Sequence, residues 1–447
     1  MNPVEAVRTA KYDVLVIGAG ASGVAAAVAA SRRGARTAII ERYGFIGGLA
    51  CSAEVGTVCG FYARGMTDTG LAGRFPSEFE IQLREYSRTS PLTFAEELSF
   101  LPCAPVDFEW VCSSLLREEG VDVFLHTTLF KVEHKQIENA QNQVNSVTCL
   151  GWNELVNICF ASVVDATGEG LVSFLSGISR IEENSYQAPA LVIEVEGIEQ
   201  EVEVSRANFT ERDLNFILLK ELADLERGGL GFSREYEKFF GKGIFCDAGI
   251  LPRLSVVPGS FSGRSAKLKM AYPFRRNSDS GQMTRLELYG RSMAHFLVSL
   301  LKENVPLFSG IKLCRIAAEV GVRTGPKNSG KDILLDDDLL QAKKPVDGIA
   351  NGLWPIEIWD EGRRPVLEYF PPKTCYQIPV GALISSQFSN LFFCGRGISA
   401  TERALSSARV IGTCLGTGYA AGVLAADFCL GIDTEASVKW IRENELN

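Results

Sequence analysis

Two short apolar runs near the amino-terminal end of the chain are separated by an alanine-rich segment. Residues 12–17 and 35–40 have the length of β-strands, and their apolar positions do not alternate cleanly with polar ones. Strands that are buried on both faces of a parallel sheet have this pattern. Residues 21–33 are rich in alanine and predict a helix. The segment therefore predicts a strand–helix–strand unit with parallel strands.

The following stretch contains one clear helical pattern. Residues 43–105 are rich in Gly, Ser, Thr and Pro and show weak periodicity, which predicts loops and short helices. Residues 106–119 place apolar side chains at helical intervals and end before Gly120, as expected for a helix closed by a glycine. Residues 121–126 then predict a strand.

Three apolar segments in the next part of the chain predict a β-meander. They comprise residues 129–133, 146–152 and 155–164. The polar run 134–145 separates the first two segments and indicates a solvated turn.

The pattern changes again from about residue 186. A strand and two helices are predicted for residues 190–195, 211–226 and 287–303, and afterwards two strands and a long apolar helix for residues 378–383, residues 390–394 and the segment from about residue 408. We expect residues 186–320 to form an inserted α+β domain. The larger domain would then combine residues 1–185 with residues 321–447.

Size and charge limit the possible functions. A chain of 447 residues with 46% hydrophobic content can bury more than one core. The formal net charge of -9 gives no basic footprint, so nucleic acid is not an expected partner. An anionic cofactor must therefore be held by local amides and dipoles rather than by the overall field.

No targeting or metal-binding segment is expected from the sequence. Residues 1–11 do not form a signal peptide, and the uncharged segment 410–426 contains Gly, Thr, Tyr and Cys, which favours a buried helix over a membrane span. The 12 cysteines form no CxxC pair, and the three histidines lack the spacing of metal ligands. We expect a soluble cytoplasmic protein without metal sites or a disulfide framework.

The strand–helix–strand unit carries a glycine motif. Gly18, Gly20 and Gly23 form GxGxxG between the first strand and the helix, and Glu41 closes the second strand. In this motif the glycines permit the turn, the approach of backbone amides to a pyrophosphate, and close helix packing, while the acid binds a ribose diol. The arrangement predicts dinucleotide binding.

Three further segments favour FAD over NAD. Gly47 and Gly48 suit a second close approach of the backbone to a cofactor. Residues 165–170 read DATGEG after an apolar strand, and residues 390–409 again pass from an apolar strand through glycines to a helix. Residues 43–105 are accordingly expected to lie over this cofactor.

The carboxyl-terminal segment makes the resemblance specific. It fits the pattern GR-x-(I/V)-SA…SxRV…T…G-x-AAG with Gly395, Arg396, Ile398, Ser399, Ala400, Ser407, Arg409, Val410, Thr413, Gly418, Ala420, Ala421 and Gly422, and residues 319–323 read EVGVR. The chain resembles the glutathione-reductase-type flavoproteins, and most closely a broad group of FAD-dependent oxidoreductases. The resemblance implies a Rossmann-like FAD-binding domain with a parallel sheet and a three-stranded meander, plus an inserted α+β substrate domain.

The resemblance also implies a set of FAD-binding residues. The pyrophosphate and ribose would contact Gly18, Gly20, Ala21, Ser22, Gly23, Glu41 and Arg42, and the second glycine turn would add Gly47, Gly48 and Leu49. Leu129 or Phe130 would present backbone to the adenine, and the diphosphate would pass Ala166, Thr167 and Gly168. Gly395 and Arg396 would lie beside the ribityl chain, and Arg409, Val410 and Thr413 would begin a helix facing the flavin. Arg396 and Gly397 follow Gly395 where many relatives have an aspartate that binds the ribityl hydroxyls.

Three residues are candidates for catalysis, each with a structural alternative. Cys51 is either a reactive thiol or a small core residue; a redox pair with Cys59 is disfavoured because seven residues separate them rather than four. Arg323 would bind the flavin edge or an anionic substrate group, or pair with a carboxylate at the domain interface. Glu402 is a candidate general base or a helix-capping acid.

Two other residues have weaker claims to a role in the site. Tyr376 is a possible substrate contact, and His295 suits a helix position better than a catalytic one.

The function predicted is hydride transfer between a small organic substrate and FAD. An NAD(P)H-dependent flavin monooxygenase or reductase is the alternative, weakened by the single GxGxxG. A flavin-free NAD enzyme and a flavin-bearing structural or tRNA-associated protein are more distant alternatives. The sequence leaves open the substrate, a covalent flavin link and a homo-oligomeric state.

Overall fold

A computed structural model describes residues 7–94, 97–136, 142–181, 187–199, 210–227, 252–272, 279–359 and 365–446. The described residues form strands at β1 (Val7–Lys11), β2 (Val14–Ile17), β3 (Thr37–Ile40), β4 (Thr57–Cys59), β5 (Leu92–Phe94), β6 (Leu98–Pro102), β7 (Asp122–Phe124), β8 (Thr128–Lys135), β9 (Gln143–Leu150), β10 (Leu155–Cys159), β11 (Ser162–Asp165), β12 (Arg180–Ile181), β13 (Ala190–Glu196), β14 (Arg253–Val256), β15 (Ser265–Ala271), β16 (Lys312–Ile316), β17 (Lys327–Asn328), β18 (Gly348–Gly352), β19 (Ile356–Ile358), β20 (Val366–Glu368), β21 (Tyr376–Pro379) and β22 (Leu391–Phe393). The helices are α1 (Ala21–Arg32), α2 (Leu49–Ser52), α3 (Arg74–Ser87), α4 (Pro105–Glu118), α5 (Leu171–Leu175), α6 (Glu211–Arg227), α7 (Ser280–Asn304), α8 (Asp336–Leu340), α9 (Glu402–Ala408), α10 (Ile411–Cys429) and α11 (Thr434–Asn444).

Five parallel strands form the central sheet, in the order β22-β11-β2-β3-β7. This is the doubly wound arrangement of dinucleotide-binding folds, in which the order reverses between β2 and β11. Val14 and Val16 of β2 pack into one hydrophobic core, whereas Leu15 and Ile17 pack into another on the opposite face. The strand is apolar throughout because both of its faces are covered, and the predicted parallel sheet and α/β class are confirmed.

Helices α1 and α10 pack together on one face of this sheet. Gly418 and Gly422 lie one turn apart in α10, and a Cβ atom at either would overlap the backbone carbonyl oxygen of Ser22 or Ala26 in α1. Only glycine allows the two helices to approach this closely. Because α10 comes from the carboxyl-terminal part of the chain, the layer joins the two ends of the sequence.

A four-stranded sheet, β1-β10-β9-β8, covers the opposite face. The antiparallel meander β8-β9-β10 is present, but the prediction of one strand over residues 155–164 is wrong. The chain leaves this sheet after β10 and enters the parallel sheet at β11, with the amides of Ala161 and Ser162 donating to the carbonyl oxygen of Asp13. The two strands contribute to one shared core, so the apolar pattern shows no break between them. The predicted polar turn falls partly on residues 137–141, which lie outside the described residues.

The segment from residue 187 to 320 contributes a separate antiparallel sheet, β14-β15-β13-β16. Helices α6 and α7 pack on it and share its hydrophobic core. Glu54, in the loop after α2, anchors this sheet by ion pairs of 2.7 Å to Lys267 Nζ of β15 and to Arg315 Nε of β16. The domain boundaries proposed from the sequence remain predictions.

One further expectation needs correction. Residues 43–105 contain the 14-residue helix α3 and the small sheet β4-β6-β5 rather than only loops and short helices. The helix buries Phe75, Phe79 and Leu83, whose spacing of four residues is helical but is hidden among the glycines and prolines around it. The apolar helix predicted from about residue 408 is present as α10, which begins at Ile411 after a turn that separates it from α9.

The turn between α9 and α10 also bears on the apolar segment at residues 410–426. In the described part of the chain, no single helix has the length and apolarity of a membrane span, and only α9 and α10 taken together, bent by 95°, meet that criterion.

Candidate functional site

Three loops meet at the carboxyl-terminal edge of the central sheet. Ile17 of β2 and Phe393 of β22 are both in register with Asp165 of β11, so the chain leaves all three strands at one level. A Cβ atom on Gly18 would lie 2.6 Å from the carbonyl oxygen of Ala166, and one on Gly395 would lie 2.5 Å from Ser22 Oγ. The loops thus touch at the point where strand order reverses, which is the ligand-binding crevice of such sheets.

The glycine motif opens α1 towards this crevice. Gly18 has φ +101°, a conformation that favours glycine, and a Cβ atom on Gly23 would overlap the carbonyl oxygen of Gly18. Gly20 is the N-cap residue, and in the described structure no side chain caps the helix. The amides of the first turn, in Ala21, Ser22 and Gly23, are therefore available to an anion.

Glu41 lies at the far side of the same turn. Its Oε2 accepts a hydrogen bond of 2.8 Å from the amide of Ala19, and its Oε1 accepts one of 3.0 Å from the amide of Tyr43. Each oxygen keeps a lone pair, so the fixed carboxylate can still accept from a diol. Arg42 points outward over the Tyr43 ring and is not held in the crevice.

The second glycine turn approaches the first. Gly20 and Gly47 form an isolated parallel bridge, and a Cβ atom on Gly48 would lie 2.9 Å from the Cα of Gly20. Gly48 caps α2, so Leu49 begins that helix directly beside the α1 N-terminus. The two predicted backbone approaches form one cradle.

Leu129 and Phe130 lie on β8, near Glu41. The amide of Thr127 donates to the Glu41 carbonyl oxygen at 2.8 Å, which ties the start of β8 to the end of β3. Leu129 is buried, whereas Phe130 lies at a register shift and is 66% exposed. The shift leaves the Phe130 backbone outside the ladder, as a contact to a ligand would require.

The loop after β11 is held from within. The Asp165 carboxylate accepts from the Thr167 hydroxyl at 2.7 Å, the Thr167 amide at 3.1 Å and the Val172 amide at 3.0 Å. Gly168, at φ +73°, turns the chain under Arg396, whose guanidinium lies 3.6 Å from Glu169 and donates to the Val322 carbonyl oxygen. Arg396 thus connects the loops that follow β11 and β22.

The start of α10 is another helix terminus without a side-chain cap among the described residues. Val410 is its N-cap residue and offers no side-chain bond. Gly60 lies against it, because a Cβ atom there would be 2.6 Å from Val410 Cγ2 and 3.3 Å from the Thr413 amide nitrogen. Arg409 directly precedes this terminus, and Cys59 directly precedes Gly60.

A group of charged and aromatic residues surrounds the approach to this terminus; we call Lys269, Arg323, Glu357, Trp359 and Arg409 the cationic cluster. The Arg323 guanidinium lies 4.2 Å and Lys269 Nζ 4.6 Å from the centroid of the Trp359 ring. The Trp359 indole donates to Glu357 Oε1 at 2.8 Å, and Arg409 lies 3.8 Å from Glu357 Oε2.

The charges of the cationic cluster do not balance. Burial alone would raise the pKa of Glu357, but Arg409, Arg323 and Lys269 oppose it and hold the pKa below its usual value. Burial, reinforced by Arg323, lowers the pKa of Lys269 to about 8. Burial and then Arg409 lower the pKa of Arg323 to about 9, which leaves it charged at neutral pH. Three cations therefore face one carboxylate.

Arg323 was a candidate from the sequence, but Lys269, Glu357 and Trp359 were missed. Lys269 belongs to β15, where Lys267 and Lys269 alternate with buried apolar residues, so it has the pattern of a solvated face. In the sequence, only the two tryptophans that flank Glu357 in WPIEIW could have indicated this cluster.

The two cysteines are not brought together as a pair. Cys51 lies in α2, where its thiol donates to the Pro105 carbonyl oxygen at 3.3 Å and burial raises its pKa to about 12. Cys59 lies among Glu357, Lys269 and Arg409, and burial raises its pKa as well. Because the thiolate is the reactive form, neither environment activates a cysteine.

The other candidates occupy structural positions. Glu402 accepts from the Thr324 hydroxyl and pairs at 3.1 Å with Lys327 Nζ, so both of its oxygens are engaged. This suits an anchor better than a base. Tyr376 is fully buried and bonds to Ser407 Oγ at 2.8 Å, and His295 lies on the exposed side of α7.

Fold and crevice define a dinucleotide-binding α/β protein. A family model described as FAD dependent oxidoreductase matches residues 13–446, and the chain belongs to that family. FAD as cofactor and oxidoreductase as enzyme class are thereby confirmed.

Several solved structures resemble the chain over most of its length. A geranylgeranyl bacteriochlorophyll reductase-like protein from Thermoplasma acidophilum is 15% identical, with 98% of this chain and 85% of that chain covered and a TM-score of 0.46. A flavin-dependent brominase is 12% identical, with 97% and 83% covered and a TM-score of 0.49. The anhydrotetracycline hydroxylase of Streptomyces rimosus is 12% identical, with 97% and 66% covered and a TM-score of 0.47. The assignment rests on the family match.

The residues present fit FAD. The cradle between Gly20 and Gly48 has room that only glycine backbone leaves open, and the uncapped start of α1 offers amides to a pyrophosphate. Glu41 is fixed for a ribose at one end. At the other end, Thr413 Oγ1 is buried without a hydrogen-bond partner among the described residues, as expected where a bound molecule completes the site.

Proposed function

We propose that the protein transfers a hydride between a small organic substrate and FAD, and that the reacting groups meet beside the start of α10. Three buried polar atoms of this region have no hydrogen-bond partners among the described residues: Thr413 Oγ1 in the first turn of α10, Arg409 Nε just before that helix, and Nη2 of Arg323, whose charge interacts with that of Arg409. Folded proteins satisfy nearly all such atoms. This observation carries the proposal, because unsatisfied donors grouped around a helix terminus indicate that bound molecules supply the partners.

FAD, when bound, supplies a two-electron carrier that accepts a hydride from a substrate or returns one. The chain contributes orientation and charge. The uncapped amides at the start of α10 carry a partial positive charge, which stabilises negative charge placed beside them. Val410, Trp354 and Leu98 form an apolar cluster next to this terminus, with Cys59 packed against it, and exclude water from it.

Lys269 Nζ is our proposed proton-handling group. If FAD bound here took the hydride released from an alcohol or amine carbon, the neutral amine of Lys269 would accept the accompanying proton, and in reduction of the substrate it would return that proton. A pKa of about 8 lets this amine change charge near neutral pH. Two indole donors and three cations keep Glu357 ionised. It therefore holds the cations of the cluster in place and does not exchange protons.

The finer assignments remain proposals. The order of the parallel strands and the carboxyl-terminal pattern that begins at Gly395 support placing the chain in the glutathione-reductase-type group. The FAD contacts proposed for Gly18, Gly20, Gly23 and Glu41 are supported by the convergence described above. The cytoplasmic location and a homo-oligomeric state remain predictions.

Anaerobic flavin reduction tests the proposed function. The purified protein should be yellow, and a panel of small alcohols, amines and hydroxy acids should contain a compound that bleaches it without NADH or NADPH. Protein that remains colourless after reconstitution with FAD would refute the proposal. Bleaching by NADPH alone, followed by oxygen transfer to a substrate in air, would establish the monooxygenase alternative instead.

A further inference from the structure

The cationic cluster contains more positively charged than negatively charged side chains. Among the described residues, Glu357 is the only carboxylate acting on Arg323 or Lys269. Arg409 and Arg253 add further repulsion rather than compensation. A buried excess of charge is costly unless a counter-charge arrives with a ligand.

The unused donors belong to guanidinium groups. Arg323 Nε donates a hydrogen bond of 2.8 Å to the Ala188 carbonyl oxygen, and the face of the guanidinium packs on Trp359. Its Nη2 is buried and has no hydrogen-bond partner in the described structure. Arg409 contacts Glu357 only at 3.5 Å or more, and its Nε is likewise buried and unpartnered. Planar donors of this kind match the two oxygens of a carboxylate.

The position of these donors suits a substrate bound beside the flavin end of FAD. Arg409 borders the start of α10, which we assign to that end of the cofactor, whereas Lys269 comes from the inserted sheet and Arg323 packs on Trp359. Side-chain exposure of 11% for Arg409 and 18% for Glu357 leaves the cluster reachable by a small molecule but shielded from bulk water.

On these grounds we infer that the substrate carries a carboxylate group, which Arg323 and Arg409 bind beside Trp359. The inference rests on the proposed function, since it specifies the substrate class of the same site. Bound carboxylate would satisfy both orphaned guanidinium nitrogens and offset one of the two excess charges.

Calorimetric titration of the FAD-loaded protein, at fixed ionic strength, tests this inference without requiring turnover. Benzoate should bind at least tenfold more tightly than benzamide, which has nearly the same shape without the charge. The Arg323→Met variant should lose this preference, because methionine keeps the apolar contact with Trp359 but removes the fork. Arg315→Met is the matched control: it removes an arginine 62% exposed that pairs with Glu54, and it should keep the preference.

Each other outcome overturns the inference. Equal affinity for benzoate and benzamide in the wild-type protein does so without any variant, and loss of the preference in both variants would indicate a general field effect. Inorganic phosphate displacing benzoate with higher affinity would identify a phosphate site. Flavin absorbance, recorded in parallel, separates the two proposals: a protein that holds and reduces FAD but ignores benzoate retains the proposed function, whereas loss of FAD from Arg323→Met alone would assign Arg323 to the cofactor.

Discussion

The glycine cradle and the cationic cluster are built on opposite principles. The cradle, at Gly18–Gly23 and Gly47–Gly48, offers backbone amides and the absence of side chains, and its polar partners are fixed by local turns. The cationic cluster offers long charged side chains whose bonds are incomplete. Backbone amides suit a cofactor that is the same molecule in every FAD enzyme, whereas side chains can be exchanged to suit a particular substrate.

The comparison indicates where each region should be sensitive. The cradle should fail when volume is added, because its function is close approach. The cationic cluster should fail when charge is removed, while its volume can change. Variants in each region test this division.

Adding one methyl group where α10 meets α1 should disrupt the packing of α1, the helix that begins at the cradle. Gly422→Ala places a Cβ atom into the backbone of Ala26, so we expect destabilisation by more than about 3 kcal/mol and loss of FAD. Gly416→Ala in the same helix is the control, since its Cβ would lie 3.6 Å from the Ala350 Cβ, an ordinary contact. That control should be stabilised by about 0.5–1 kcal/mol. Thermal unfolding and flavin release measure both, and similar behaviour of the two variants would refute the close-packing account.

Removing one charge should impair the cationic cluster without unfolding it. Lys269→Met should lower the rate of flavin reduction by about 100-fold and remove its rise as pH passes about 8, because the neutral amine is the proposed proton acceptor. Arg323, Glu357, Cys59 and Arg253 also face this amine, and Glu357 stays ionised across that range. Stopped-flow reduction over pH measures the effect.

Lys267→Met is the matched control for that experiment. Lys267 lies two residues away on the same strand, but it pairs with Glu54 at 2.7 Å. The variant should therefore keep the pH profile of the wild-type protein. A profile that survives in Lys269→Met would remove Lys269 from the proton transfer.

A smaller effect should distinguish a functional titration from a structural one. Burial raises the pKa of Glu445 to about 7, although its carboxylate accepts from the Phe75 amide at 3.2 Å. Its folded pKa lies above its unfolded value, so stability is lost as pH rises from about 4.5 through 7. Glu445→Gln should thus stabilise the protein at pH 8 by about 3 kcal/mol at most and have no effect near pH 4. Denaturant unfolding at both pH values measures this, and a change in the pH profile of flavin reduction would contradict the structural role.

The sequence predicted the cradle far better than the cationic cluster, and locality explains the difference. Gly18, Gly20, Gly23 and Glu41 lie within one strand–helix–strand unit, so their spacing in sequence determines their spacing in space. The carboxyl-terminal pattern placed Arg409 and Thr413 at the start of a helix, and α10 begins at Ile411, between these two residues. These predictions needed no knowledge of the tertiary fold.

Long-range contacts hid the rest. In the sequence, Lys269 has the pattern of a solvated lysine on a strand. Only the fold brings Trp359, 90 positions later, into contact with it. The run at residues 155–164 was assigned to one strand because burial in two neighbouring sheets produces the same apolar pattern as burial in one. Cys51 and Glu402 were candidates because of their side-chain chemistry, but the fold determines their surroundings. Burial keeps the Cys51 thiol protonated, and Thr324 and Lys327 engage both oxygens of the Glu402 carboxylate.

The affinity of the Gly20→Ala variant for FAD decides whether the start of α1 holds the dinucleotide. Gly20 has an ordinary φ of -73°, and a Cβ atom there would be 4.0 Å from the nearest atom, the Cα of Gly48. The apoprotein should therefore fold with its unfolding free energy changed by less than about 1 kcal/mol. If the dinucleotide phosphates lie against the first amides of α1, the added methyl group occupies their place, and equilibrium dialysis should show FAD binding weakened by at least 100-fold. Wild-type affinity in a normally folded Gly20→Ala protein would contradict the account.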